Sequence, residues 1–190
     1  MDEKVIREVQ RLLSKEALKD NLTKASLYVL AYETLKNSII EKPKGFFTFG
    51  GIEADDDYKK EVLSKHRNPL IASCRWFQEN GAISETDVNE FLTLREHRNY
   101  IAHELPNVLL NTSSQVDEDK EIGLFHLLCK IDRWWILEFE IPINSEFDGK
   151  TIDPTEVRSL GMEFLWYLTT VVYDLGDALK VIKQQGEAIM

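Results

Sequence analysis

The chain has 190 residues, of which 43% are hydrophobic and 29% charged, with a net charge of −10. This is chain enough for one domain, residues 1–190, with an apolar core, and its balance is that of a water-soluble globular protein. Cys74 and Cys129 stand alone with no CxxC spacing, which argues against a disulfide framework or thiolate metal site and for a reduced, cytoplasmic setting.

Residues 3–19 carry Val5, Ile6, Val9, Leu12 and Leu13 at helical spacing, and the spacing predicts a first helix. Met1-Asp2-Glu3-Lys4 lacks the basic start and apolar run of a secretory signal. A second helix is predicted over 23–41, with Leu27, Leu30, Ala31, Leu35 and Ile39 inward. Glu33 on it is expected to pair, exposed, with Lys36 or Asn37 rather than to reach into a cleft. Pro43, Gly45, Gly50 and Gly51 predict a loop over 42–57. Its Phe46, Phe47 and Phe49 are expected to pin it over the bundle or a partner copy.

Residues 57–66 read as helix. Pro69 either starts another helix or kinks this one, and the segment runs to Gln78 or Glu79 with Gly81 just past its end. Ser84-x-x-Asp87 is a near capping box that opens the next helix. Val88, Phe91, Leu92, Leu94 and Ile101 are its expected core contacts. Pro106 places the end near His103 or Glu104. Residues 107–117 are polar and read as a loop, with Asn111, Thr112, Ser113, Ser114 and Gln115.

Helix returns over 118–138, with Ile122, Phe125, Leu128, Ile131 and Trp135 inward. Trp134 is next to Trp135, so one of the two is expected to face outward as an interface anchor. Residues 138–143 are read as a short extended piece, and Asp148-Gly149 as a turn. Asp153-Pro154-Thr155-Glu156 reads as a strong helix start, opening a final helix over 154–185. Its predicted inward stripe is Val157, Leu160, Phe164, Leu168, Val171, Leu175 and Leu179. Asp174, Asp177 and Lys180 interrupt the most apolar stretch, so no membrane span is expected. The fold class is therefore all-α, an antiparallel bundle of about five to six helices.

Charge is uneven along the chain. Residues 1–80 hold 14 Lys/Arg and 13 Asp/Glu, and residues 81–190 hold 9 and 20. A polyanion would approach through the first half, where Lys59, Lys60, Lys65, His66 and Arg67 form the densest basic group. The other chemistry-bearing stretch is Arg95-Glu96-His97-Arg98-Asn99-Tyr100-Ile101-Ala102-His103. Arg95, Asn99 and His103 are four apart and share a helix face, and Arg98 flanks it. Arg98 offers a planar fork for phosphate oxygens. His103 can give or take a proton near neutral pH, and Asn99 can orient either. No P-loop, GxGxxG, HExxH or GxSxG pattern is present, and the four histidines lack metal-ligand spacing. No cofactor and no metal is expected. A phosphate-gripping Arg beside a His acid/base suggests metal-independent phosphodiester cleavage.

Arg98-Asn99-Tyr100-Ile101-Ala102-His103 resembles the R-N-x-x-x-H form of the Arg-x(4–6)-His signature of the HEPN superfamily, small all-helical proteins that include many ribonuclease toxins of prokaryotic toxin–antitoxin and defence systems. The resemblance implies a HEPN-like bundle and a two-fold homodimer whose two motifs meet in one cleft. It also implies an RNA substrate, rather than DNA or membrane, and a protein antitoxin. By it, Arg98 and His103 are catalytic and Asn99 supports them. Arg95, Lys59, Lys60, Lys65 and Arg67 are further expected phosphate contacts. Relatives paired with small nucleotidyltransferases often carry a modified Tyr two residues after the motif His, where this chain has Leu105. Two other classes stay open: a nonenzymatic helical dimer that binds nucleotide or RNA, and a subunit that only binds a partner protein.

Overall fold

Ser14 opens the first helix by accepting a hydrogen bond from the Ala17 amide at 3.2 Å, the ordinary N-cap device. A computed structural model describes residues 14–48, 56–110 and 116–173. Within these, α1 runs unbroken over Lys15–Phe47. The expected break between residues 19 and 23 is absent. Asn21, inside this stretch, turns its side-chain amide off the helix and donates to the Leu109 carbonyl at 3.1 Å. Residues 3–13, including Val5, Ile6, Val9, Leu12 and Leu13, lie outside the described residues.

The helix also continues through Pro43, where a loop was expected. Proline removes one intrahelical hydrogen bond and crowds the preceding turn. Here the last turn is held from outside. Phe46 packs edge-on against Phe139 at 4.9 Å and Trp135 at 6.4 Å, and Phe47 contacts Tyr58 and Trp76. The expectation that these rings pin the segment to the bundle holds for Phe46 and Phe47, whereas Phe49, Gly50 and Gly51 lie outside the described residues. Ala25, Leu27, Tyr28, Ala31, Tyr32, Leu35 and Ile39 are buried on α1, but Leu30 is 38% exposed, against expectation.

A short α2 (Asp56–Glu61) and a 3-10 turn (Leu63–Lys65) lead to α3 (Pro69–Glu79). Pro69 begins α3: Asn68 caps it by accepting from the Leu70 and Ile71 amides. Gly81 follows with φ of +79°, the left-handed geometry that a side chain resists. α4 (Glu85–His103) starts with the anticipated capping box, Ser84 and Asp87 bonding reciprocally. Phe91, Leu94 and Ile101 are buried, while Val88 and Leu92 are half-buried.

α4 ends at His103, as Pro106 required, yet helix resumes at once as α5 (Leu105–Leu110). Pro106 sits in the first turn of α5, where its missing N–H costs nothing, and Val108 is buried. Thus 107–110 is helical rather than loop. Asn111, Thr112, Ser113, Ser114 and Gln115 lie outside the described residues.

α6 (Glu118–Trp135) is capped by Asp117 and runs into a π-helical turn, Ile136–Glu140, where the Ile141 amide reaches the Ile136 carbonyl at 2.9 Å. This turn replaces the expected extended piece. It lays Phe139 parallel on Trp135, with centroids 4.5 Å apart. Trp134 is not an outward anchor. It packs against Phe77, Trp76 and Phe139. Ile122 is half-buried, and Leu124 and Leu127 take the inward places beside Leu128 and Ile131.

Gly149 has φ of +72°, as the Asp-Gly turn demands. The Asp153-Pro154 signal makes only one 3-10 turn, Pro154–Glu156, after which Val157 is extended. Helix α7 (Leu160–Val172) starts instead at Ser159, whose hydroxyl caps the Met162 amide and donates to the buried Asp132 carboxylate. The exposed Asp-Pro turn has no such anchor in the core. The inward face of α7 is Met162, Leu165 and Thr169. Most of the predicted stripe is turned away, with Leu160, Phe164 and Val171 exposed at 86%, 50% and 65%; Val157 is half-buried, Leu168 is half-buried against Leu27 and Tyr173, and Leu175 and Leu179 lie outside the described residues.

The result is an all-α bundle with seven α-helices and no strand among the described residues. α1 is its central element. Tyr28 donates from its buried hydroxyl to the Leu94 carbonyl at 3.1 Å, fixing α4 against α1. α4 runs antiparallel to α6, with Asp87 beside Lys130 and His97 beside Asp117. No described helix is long and apolar enough to cross a membrane.

Candidate functional site

The motif occupies the last two turns of α4. Ile101 points into the core at 1% exposed and so fixes the helix's rotation. With Ile101 inward, Arg98 and Asn99 are half-buried beside α1, and His103 is exposed at the final helical position. Helix geometry separates Arg98 and His103 by about 7.5 Å along the axis and roughly 140° around it.

Arg98 is held on three sides. Its Nη2 donates to Glu33 Oε1 at 2.5 Å, and its Nη1 donates to Asn99 Oδ1 at 3.3 Å. Its guanidinium carbon sits 5.6 Å from the centre of the Tyr32 ring. The Arg98 Nε is buried with no partner among the described residues. Glu33 also accepts from Lys36 Nζ at 2.7 Å, so one carboxylate bridges two cations. Partial burial raises the Glu33 pKa, but the hydrogen bonds from Lys36 and Arg98 outweigh it and hold the group below the ordinary carboxylate range. The carboxylate is therefore ionised at neutral pH, and the site is a small charge network with a surplus of cation. Arg95 adds to that surplus: it lies near enough to Tyr32 to favour the ring's ionised form, although burial dominates and raises that phenol.

The pairing of Glu33 with Lys36 was expected from their spacing. Its grip on Arg98 was not, because 65 residues separate the two and no local signal joins them. The sequence left His97 as a plain surface residue. It is half-buried, accepts from the Asp117 amide through Nε2 at 3.1 Å, and stands edge-on to Tyr28 with centroids 4.9 Å apart. Burial, then the charge of Lys120, lowers its pKa despite the nearby Asp117. A neutral His97 fastens the start of α6 to α4 and has no free nitrogen pair for acid–base work.

The basic group of the first half is not joined to the motif by any ion pair or hydrogen bond among the described residues. Lys59 pairs with Asp56, Lys60 with Glu61 and Lys65 with Glu79. The first two are local, exposed pairs on α2, and the third ties the turn that follows to the end of α3. Arg67 is exposed on the connection to α3. The structure therefore gathers Arg98 and Asn99 with Glu33, Lys36 and Tyr32, sets Arg95 and His103 at the margins, and leaves Lys59, Lys60, Lys65 and Arg67 apart from it.

No group of three or more His, Cys, Asp or Glu side chains able to hold a metal ion occurs among the described residues. Burial pushes the Cys74 thiol up to about 12 and the Cys129 thiol up to about 11, so neither is a thiolate nucleophile at neutral pH. No protein-family model, curated protein or solved structure matches the chain.

Proposed function

We propose that this chain is a metal-independent endoribonuclease of the HEPN type, a toxin or defence component, acting as a homodimer. The observation that carries the reading is the Arg98 network. The guanidinium is fixed by Glu33, Asn99 and Tyr32, and His103 is exposed further along the same helix. In the proposed reaction the RNA 2′-hydroxyl attacks the adjacent phosphorus and the bond to the 5′-oxygen breaks, leaving a 2′,3′-cyclic phosphate and a 5′-hydroxyl. Arg98 balances the charge that develops on the phosphate oxygens. His103 takes the proton from the attacking hydroxyl or gives one to the leaving oxygen.

One chain supplies one suitable imidazole, since His97 is engaged by Asp117. In-line transfer gains from a base and an acid together. A two-fold axis through the motif helices would bring a second His103 and a second Arg98. Subunit mixing tests this. Arg98→Ala and His103→Ala chains, each inactive alone, should regain measurable RNA cleavage when co-refolded as heterodimers. A monomer that cleaves RNA as fast as the dimer contradicts it.

The Glu33–Arg98 pair favours a second reading, in which Arg98 is a structural pin and the chain only binds nucleotide, RNA or a partner protein. The two readings separate in a cleavage assay with purified protein: wild type should cut single-stranded RNA and His103→Ala should not. Equal cutting by His103→Ala would remove His103 from catalysis.

A further inference from the structure

We infer that a cleft at the far end of α4 from the motif binds a small aromatic oxyanion, an aryl phosphate or aryl carboxylate. The cleft has a volume of about 480 Å³ and lies between the outer face of α6 and the first turns of α4. Asp87, at its rim, is sixteen residues from His103, about 24 Å along the helix, so it is a separate site.

One face of α6 forms its floor. His126, Cys129, Lys130 and Arg133 recur at helical spacing, and Trp134 closes the basic end. The cations there are not equivalent. Lys130 is paired with Asp87 at 2.5 Å, and Asp87 also holds the Ser84 cap, so that pair is internally neutral. No ion pair or hydrogen bond to the Arg133 side chain is present among the described residues, and its Nε is buried without a partner. The Nε2 of His126 is likewise buried and unpartnered among them. Burial lowers the His126 pKa, so its ring is uncharged at neutral pH and Arg133 is the one uncompensated cation of the floor.

The opposing charge, Glu90, lies at the other end. Its carboxylate rests over Gly123, where an added Cβ would come within 2.5 Å of Oε1. Gly123 is ten residues from Arg133 on the same helix, about 15 Å away. The cleft is therefore polarised, with a guanidinium unpaired among the described residues and an indole wall at one end and a carboxylate at the other. A guanidinium fork beside a flat apolar wall suits an oxyanion carried on an aromatic ring. The neutral thiol of Cys129 and the neutral His126 supply no activated nucleophile, so the inference is of binding and not of a second reaction.

Titration of the full chain with phenyl phosphate and with benzoate tests this, using calorimetry and the Trp134 indole N–H resonance. Both aryl anions should bind and shift that resonance. Phosphate supported over benzoate, or the reverse, assigns the preferred head group. Benzyl alcohol, which lacks the charge, and inorganic phosphate, which lacks the ring, should each bind at least about tenfold more weakly, the loss of roughly one good contact. Arg133→Gln should weaken the aryl anions by a similar factor with unchanged helicity, and Trp134→Phe, which keeps a flat wall, should largely retain them. Failure of both aryl anions to bind, equal binding by inorganic phosphate, or unchanged affinity in Arg133→Gln would each overturn the inference.

Discussion

The two ends of the bundle are built from opposite materials. At one end Phe46, Phe47, Trp76, Phe77, Trp134, Trp135 and Phe139 interlock with ring centroids 4.5 to 6.5 Å apart. That end holds α1, α3 and α6 together and keeps α1 helical past Pro43. At the motif end the side chains are charged and half-exposed: Arg98, Glu33 and Lys36 in one network, with His103 in solvent. Aromatic packing stabilises by excluding water, whereas a charge network at about 30% exposure contributes little to stability. The motif end therefore has a constellation whose presence folding does not require.

That contrast is sharpened most by changes expected to separate activity from stability. His103→Ala should lower RNA cleavage by about 10²- to 10⁴-fold, the usual worth of a positioned acid or base. Its unfolding free energy in urea denaturation should stay within the roughly 0.5 kcal/mol typical of exposed substitutions. Phe77→Ala should do the reverse in kind. Phe77 is fully buried against Trp76, Trp134 and Trp135, and its removal should cost about 3–5 kcal/mol in urea denaturation.

A smaller effect comes from Glu121, one of two carboxylates buried among the described residues, the other being Asp132. Glu121 is 4% exposed, and burial lifts its pKa to about 7 against the opposing hydrogen bond donated by Tyr173. Between the unfolded value near 4.5 and this folded value, the native chain keeps a proton that the unfolded chain has lost. Stability should then fall as pH rises through that window and level off above it. Glu121→Gln should flatten the fall and be about 1–3 kcal/mol more stable than wild type at pH 8, measured by denaturation at several pH values. A steeper fall in the variant would break the assignment.

The smallest expected change is Glu33→Gln. It loosens a partly exposed pair, so stability should move by less than about 1 kcal/mol. Cleavage should drop several-fold through kcat, because Arg98 loses its orienting partner. A stability loss as large as that of Phe77→Ala would place Arg98 among the pins of the fold and erase the contrast.

The legible features were those written in local chemistry. The Ser84–Asp87 box, the positive φ at Gly81 and Gly149 and the end of α4 near His103 all depend on neighbouring residues, whereas at Pro69 the sequence left both a helix start and a kink open. What escaped depends on distant residues. Pro43 reads as a breaker until Trp135 and Phe139 are seen to hold Phe46. Asp153-Pro154 reads as a helix start until Ser159 is seen anchored on Asp132. The α7 stripe was turned because periodicity alone does not choose between two apolar faces, and Met162, Leu165 and Thr169 won the inward one. In the site, spacing set Arg95, Asn99 and His103 on one face with Arg98 at its flank, whereas the structure draws Arg98 and Asn99 together and leaves Arg95 and His103 at the margins. The clamp from Glu33 and Tyr32 did not follow from spacing, since only the packing of α1 on α4 creates it.

The central claim, that Arg98 and His103 direct a 2′-hydroxyl onto its own phosphate without metal, is met most directly by analysing the ends of a defined RNA cut by the purified protein in excess EDTA. The account predicts a 2′,3′-cyclic phosphate and a 5′-hydroxyl, and no cutting where the scissile nucleotide carries 2′-deoxyribose. Cutting at the 2′-deoxy position, or activity that appears only when Mg²⁺ is restored, would contradict it.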